Sequence, residues 1–462
     1  MLFNSLIFLY AFLPITYVIF WRLRTQRERY VWLTITGYVF YSFWNYKFCA
    51  LLAFSTLVSY LGGRGLLRWT DPASRRACLV VSVASDLAVL AFFKYADFGL
   101  SSFAVASRWA GFDVQISPLN IVLPIGISFY TFHSISYIVD AYRGSITPTR
   151  NFWEYATYVS LFSQLVAGPI VRFRQIEDDL EQIDRVDRRK YLDRAWSFFA
   201  IGMVEKVLIA DSIAAIINPA LAHYGELSTL DAWLCMLGYS YQLYFDFAGY
   251  SDMAVGLGYL FGIRIPQNFS SPYKSKNIAE FWRRWHISLS SWLRDYLFQP
   301  LGGLFGTKWQ RVRNLLITMS LGGLWHGAAW TFVVWGVYHG LLMAAYATAG
   351  KSWDRLPSIV RTAGTFLLVL FGWVVFRAET LDMAGTMFQK MFLFEPGFTM
   401  TAGVGLVAML ALAAWLAHIA PNSFELKHEW SVGSAAVLAV LFLVSMAAIY
   451  GARPSPFLYF QF

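Results

Sequence analysis

The feature that most constrains this chain is a succession of apolar segments, most of them near bilayer-spanning length, separated by short basic stretches. They run at 5–21, 30–46, 48–63, 77–96, 119–139, 152–171, 195–217, 231–262, 314–347, 362–376, 399–420 and 432–452, and the 314–347 run is long enough for two passes. A helix needs about 20 residues to span, so the shorter runs imply tilt or extension by flanking aromatic residues. With no water to satisfy backbone groups in hydrocarbon, repeated spans of this kind are helices. The expected fold is an all-α polytopic membrane protein with about 10–13 membrane helices plus re-entrant and amphipathic helices. Only 14% of residues are charged against 57% hydrophobic, where soluble domains carry about 25% charge. A soluble chain has no means of hiding that apolar surface. The whole chain, 1–462, reads as a single membrane domain without repeats or low-complexity tracts.

The basic excess is a topology signal. The net charge of +9 is distributed in short groups between apolar runs, as the positive-inside rule places them, and not as a nucleic-acid footprint. Arg22, Arg24, Arg27 and Arg29 follow the first run, Arg64, Arg68, Arg75 and Arg76 follow the third, and only Lys47 lies between the second and third. The N-terminus therefore faces outward. It lacks a basic n-region and a small-residue cleavage site, so the first apolar run is expected to be retained as a span. Residues 263–313 hold nine basic side chains against Glu280 and Asp295, which marks that stretch as cytoplasmic.

A second charged stretch, 172–194, holds seven basic and seven acidic residues and reads as a water-exposed helix. It falls on the same side only if 119–139 or 152–171 fails to cross. The second is expected to be re-entrant, because it ends in Gly168-Pro169, which breaks a helix.

Cys49, Cys78 and Cys235 stand singly in apolar runs, in neither a disulfide framework nor a zinc spacing, and no metal site is expected.

The seven histidines are not equivalent. His223, His418 and His428 lie in loops or at span ends and suit surface or interfacial roles. His133 and His339 are intramembrane, with Thr131, Ser134, Ser136 and Tyr338 at hand to satisfy them. His326, in Gly322-Gly323-Leu324-Trp325-His326-Gly327-Ala328-Ala329-Trp330, is an imidazole among glycines and tryptophans at bilayer depth, which is costly unless it is used. His286 lies in Phe281-Trp282-Arg283-Arg284-Trp285-His286-Ile287-Ser288. Apolar residues recur at spacings of 3, 4 and 7 over 277–296, which predicts one amphipathic helix with His286 bordering its apolar face.

Transfer of an acyl group from a thioester to a hydroxyl needs a base and donors for the oxyanion. Imidazole suits the first role, and no Gly-x-Ser-x-Gly elbow is present to supply a serine nucleophile. Asp246 and Asp252 lie in a further apolar run. They read either as carboxylates held by tyrosine and serine hydroxyls or as part of a polar pathway, which keeps a proton-coupled membrane carrier open as a different class of function.

These motifs resemble the membrane-bound O-acyltransferase (MBOAT) superfamily, and within it the bacterial alginate O-acetyltransferase branch. The resemblance extends over Leu123 to Phe132, Ala167-Gly168-Pro169-Ile170, Tyr244 to Ala254, Trp292 to Tyr296 and the closing Phe457 to Phe462. It implies a ring of helices around a tunnel in the bacterial inner membrane, with His326 as the catalytic histidine and His286 as the second active-site histidine. It also implies acetyl transfer from a cytoplasmic thioester, acetyl-CoA or another, toward an exported polysaccharide, with a periplasmic acetyltransferase partner completing transfer and no tightly bound cofactor. Alginate is the expected polymer. Cellulose or another exopolysaccharide, or a teichoic-acid or lipid acceptor, are the alternatives within the enzyme class. Lys274, Lys276, Arg283 and Arg284 lie on the side where a phosphate-bearing donor would arrive.

The positive-inside argument makes a direct prediction. A cysteine replacing Lys308 is expected to react with an impermeant thiol probe only from the cytoplasmic side of sealed cells, and labelling from outside would reverse the orientation.

Overall fold

The computed structural model describes residues 1–112, 114, 116–398, 403–451 and 457–458. Among them no strand occurs, so the all-helical expectation holds. By length and apolarity five helical stretches are able to cross a membrane: Gln26–Arg68, Pro72–Trp109, Trp330–Trp353, Ser358–Arg377 and Val432–Gly451. Two shorter apolar helices, Phe8–Arg22 and Gly403–His418, accompany them. Residues 399–402 of one expected run and the closing residues 459–462 lie outside the described residues.

The chain divides into two compact units, Met1–Leu192 with Leu257–Pro266, and Asp193–Gly256 with Gln267–Phe462. The first contains α1 (Leu13–Arg22), α2 (Gln26–Asn45), α3 (Cys49–Arg68), α4 (Pro72–Trp109), α5 (Ile127–Tyr142), α6 (Phe152–Ser160) and α7 (Phe173–Glu181). Local chemistry sets the boundaries. Thr25 and Glu28 form a reciprocal capping box at the start of α2, and Asp71 accepts from the Ser74 N–H with Pro72 opening α4, so two of the basic turns end where a helix begins.

Three expectations change in detail here. The run predicted at 119–139 becomes helical only at Ile127, and α5 is buried along nearly its whole length. The run predicted at 152–171 is helical for nine residues and then continues as buried irregular chain. At 1.5 Å per residue, α6 is about 14 Å long, too short for a hydrocarbon layer of about 30 Å. The break comes at Ser160, ahead of Gly168-Pro169. The stretch 172–194 is not one exposed helix. Only α7 is regular before the chain turns toward the next helix, and its Phe173, Ile176, Asp179 and Leu180 are buried. Asp179 earns that burial through Arg264, whose Nη2 lies 2.6 Å from Oδ1 and whose backbone N–H donates to Oδ2 at 2.8 Å.

The second unit holds α8 (Leu192–Met203), α9 (Asp211–Ala222), α10 (Thr229–Leu260, its last turn belonging to the first unit), α11 (Ile278–Arg284), α12 (Ile287–Leu293), α13 (Lys308–His326), α14 (Trp330–Trp353), α15 (Ser358–Arg377), α16 (Leu381–Phe392), α17 (Gly403–His418) and α18 (Val432–Gly451). The 314–347 run is two helices, as expected, and α16 was not foreseen. Asp246 is held differently from either sequence reading. It pairs with Lys206, which also bonds Asp211 at 2.7 Å, and it accepts the Leu458 N–H at 2.8 Å. A buried carboxylate neutralised by a lysine needs no hydroxyl cage.

The α13/α14 hairpin is the frame of the site. A Cβ on Gly323 would stand 2.2 Å from the Phe332 carbonyl oxygen, and one on Gly336 2.4 Å from that of Met319. The two backbones therefore touch, as small residues allow where helices pack in lipid. Gly323→Ala is expected to pry this hairpin apart, costing about 1–3 kcal/mol. The expected readout is a lowered melting temperature in detergent together with lost activity, and an unchanged melt would contradict the packing.

Candidate active site

The site is built where the expected amphipathic helix over 277–296 fails. It is interrupted at Trp285-His286: α11 stops at Arg284, α12 starts at Ile287, and a π-helical turn, Arg294–Phe298, follows. His286 itself sits at φ 42°, ψ 57°, the left-handed region that a side chain other than glycine occupies at a cost of about 1–2 kcal/mol. Such strain persists only where surrounding contacts over-determine it.

Those contacts come from the preceding loop. The Asn268 carbonyl accepts from the Ile287 N–H at 2.8 Å. The Asn268 side-chain oxygen accepts from the Ser288 N–H and hydroxyl at 3.2 and 2.8 Å, capping α12. The Asn268 amide donates to Ser251 of α10 at 3.0 Å. On the other side the Ser270 N–H donates to the Arg284 carbonyl at 2.9 Å, and the Arg284 guanidinium returns a bond to the Ser270 carbonyl at 3.0 Å. Asn268 went unnoticed in the sequence, since an asparagine in a loop carries no signal of what it caps.

The strained backbone turns the His286 ring inward. It is fully buried, so it does not border a face as the helical periodicity implied. Neither ring nitrogen has a hydrogen bond, and burial pushes the imidazole well below its ordinary pKa, toward the neutral form. Around it stand Phe247 at 4.6 Å, Phe269 at 6.3 Å and Trp325 at 5.8 Å between ring centroids.

His326 ends α13, its ring 5.1 Å from that of the adjacent Trp325. Trp335 and Phe376, each at 5.2 Å and edge-on, complete its cage. The structure thus brings His286 and His326 each within ring contact of Trp325. Trp330 is exposed and is not a wall. A Cβ on Gly327 would fall 2.1 Å from the Phe332 ring, so the chain packs tightly just after His326.

His339 continues the row, 4.8 Å from Trp335 and 5.3 Å from Trp282. Neighbouring hydroxyls were expected to satisfy it. Instead Tyr338 donates to the Leu368 carbonyl, and both His339 nitrogens are without a hydrogen bond. Around His133, Ser136 likewise donates to the backbone carbonyl and not to the ring. His223 is exposed, His418 bonds Tyr241 at 3.2 Å, and His428 bonds the Ser423 carbonyl, all in keeping with peripheral roles.

The four basic candidates separate. Lys274 donates to the Ala420 carbonyl at 2.6 Å, and Arg284 is paired with Glu280 at 2.9 Å. Lys276 and Arg283 are exposed. Two cavities lie in this unit among the described residues. One of about 320 Å³ is lined by Gly327, Ala328, Thr331, Phe332, Phe376 and Arg377 among others. The second, of about 340 Å³, is apolar and lies among Ile278 of α11, Leu342 and Tyr346 of α14 and Leu368 of α15. Among the described residues no group of histidine, cysteine and carboxylate side chains is placed to hold a metal.

The MBOAT, membrane-bound O-acyltransferase family model matches residues 145–379, which takes in all three histidines of the row. The chain belongs to the membrane-bound O-acyltransferase family. A probable alginate O-acetylase of Pseudomonas putida is 40% identical over the full length of both chains. A peptidoglycan O-acetyltransferase of Helicobacter pylori is 35% identical over 83% of this chain and 78% of its own. A teichoic acid D-alanyltransferase of Bacillus subtilis is 34% identical over 57% of this chain and 70% of its own. This member of the family is therefore a multi-pass membrane O-acyltransferase.

Because the left-handed backbone at His286 suits glycine better than alanine, His286→Gly is expected to melt at or above His286→Ala, with neither variant active. Asn268→Ala should lose about 1–3 kcal/mol and most activity. A His286→Gly protein clearly less stable than His286→Ala would contradict a backbone held in strain.

Proposed function

We propose that this transferase moves an acetyl group from a cytoplasmic thioester toward an exported polysaccharide, with alginate as the polymer, in the bacterial inner membrane. The observation that carries this reading is the pair of buried histidines on one indole in a chain similar along its full length to a probable alginate O-acetylase.

His326 acts as the base. It takes the proton of the acceptor hydroxyl as that oxygen attacks the thioester carbonyl carbon. Collapse of the tetrahedral intermediate breaks the C–S bond, and the imidazolium returns its proton to the departing thiolate. His286, neutral and with its nitrogens uncommitted to protein, donates a hydrogen bond to the oxyanion. The aromatic cage keeps out water that would hydrolyse the thioester.

The donor is acetyl-CoA or another acetyl thioester. Its phosphates meet Arg283 and Lys276, which are exposed, while Lys274 and Arg284 shape the loop that holds His286. A periplasmic acetyltransferase partner works with the protein in delivery to the polymer. Of the two carboxylates that kept a carrier open, Asp246 is already paired with Lys206 and the Leu458 backbone N–H.

His326→Ala is expected to fold and insert normally while losing about 10²- to 10⁴-fold in transfer from acetyl-CoA. Purified variant and wild type should share a melting temperature. Near wild-type turnover in well-folded His326→Ala would refute the base assignment.

A further inference from the structure

The apolar cavity between α14 and α15 has no part in the acetyl-transfer chemistry. The two helices touch on either side of it. Toward the histidine row, Tyr338 donates to the Leu368 carbonyl at 2.8 Å, and a Cβ on Gly372 would fall 2.6 Å from His339 Nε2. At the opposite end the Trp353 indole lies against Gly364, where a Cβ would stand 2.9 Å from the ring. Between these contacts about 340 Å³ is left open. Ala345 and Ala349 line this space and are exposed, and Leu341, one turn before Ala345, is exposed as well. The cavity therefore opens sideways, on a face that two helices able to cross a membrane turn to hydrocarbon.

One end of this groove is charged. Tyr346, on the cavity wall, donates to Asp354 at 3.1 Å, and Arg361 Nη1 lies 3.4 Å from the same carboxylate. Arg361 Nε is buried without a hydrogen bond, Lys351 and Arg355 stand exposed nearby in the chain, and α15 starts at Ser358 with no side-chain cap on its N–H groups. An anion is favoured at such a helix end. Thr365, one turn beyond Arg361, lines the cavity with a hydroxyl that is 2% exposed and has no hydrogen bond. Leu368 follows on the same face. Over about 10 Å of helix the wall thus passes from guanidinium to hydroxyl to hydrocarbon. The charged end is cytoplasmic by the positive-inside rule, because the Trp353 indole donates to the carbonyl of Lys276, in the basic stretch 263–313, at 2.8 Å. Basic pockets between spans on that side suit anionic lipid headgroups. The thioester donor does not fit the space: about 340 Å³ is at the small end of ligand pockets, which run from about 300 to 1,000 Å³, and a nucleotide has no route through hydrocarbon.

We propose that this groove binds an anionic phospholipid of the cytoplasmic leaflet, with its phosphate at Arg361 and the start of α15, an ester carbonyl accepting from Thr365, and one acyl chain filling the cavity. The site goes beyond the transferase reading and does not depend on it. A chain seated there braces α14 and α15 one turn from the contact between His339 and Gly372.

The test uses the purified, delipidated full-length protein in detergent, with binding read by native mass spectrometry and by the shift in melting temperature. The probes are dioleoylphosphatidylglycerol, zwitterionic dioleoylphosphatidylethanolamine, and glycerol phosphate, which carries the anion without chains. Wild type is expected to retain phosphatidylglycerol in preference to the other two and to melt higher with it, with the preference reduced by salt. Arg361→Gln should weaken that binding about tenfold or more, and Arg361→Lys should recover part of the loss. Should Arg361→Gln fail to fold, Ala345→Trp decides: it alters an exposed position, leaves every charge in place and fills the groove with an indole, so phosphatidylglycerol should no longer bind. Equal stabilisation by glycerol phosphate would reduce the site to an anion site and overturn the lipid. Equal binding of the two phospholipids, or undiminished binding to Ala345→Trp, would overturn it as well. Displacement of bound phosphatidylglycerol by acetyl-CoA would assign the groove to the donor instead.

Discussion

A buried imidazole whose nitrogens meet no protein partner forfeits the hydrogen bonds it would make in water, at a cost of about 1–3 kcal/mol. His286 and His339 both stand in that condition, and His286 adds a strained backbone. A fold keeps such groups when the vacancy is filled in use. The surrounding construction serves to hold the rings in place: Asn268 ties the left-handed corner to α10 through Ser251, and the glycine contact of α13 with α14 fixes the helix end that carries His326. Aromatic rings then fill the remaining space, so that few polar groups compete for the imidazoles.

Much of this was legible in the residues, and the parts that were not share a cause. Apolar runs report helices because each residue of a span bears on the same physical demand, and α13, α14, α15 and α18 fall close to where the runs placed them. Isolation of His326 among glycines and tryptophans marked it for the same reason. The corner at His286 was hidden because its cause is remote: periodicity over 277–296 is helical, and the break is held by the loop before it, through the carbonyl and side chain of Asn268, eighteen residues before His286, and the Ser270 backbone. Lys206 was likewise invisible as the partner of Asp246, forty residues away in sequence. The glycines around His326 were visible in the sequence, but not that Gly323 admits the backbone of the neighbouring helix.

The relatives divide by acceptor: alginate, peptidoglycan and teichoic acid appear in their names. Different polymers attached to one family set specificity in the site and not in the fold.

The central claim is that His286 and His326 form one reacting unit around Trp325. A double-mutant cycle on acetyl transfer tests it most directly, because groups that act together are strongly non-additive. With His286→Ala, His326→Ala and the double variant matched for folding, the account predicts a double variant no slower than the more damaged single one. Losses that multiply would contradict it, and would make the two histidines independent.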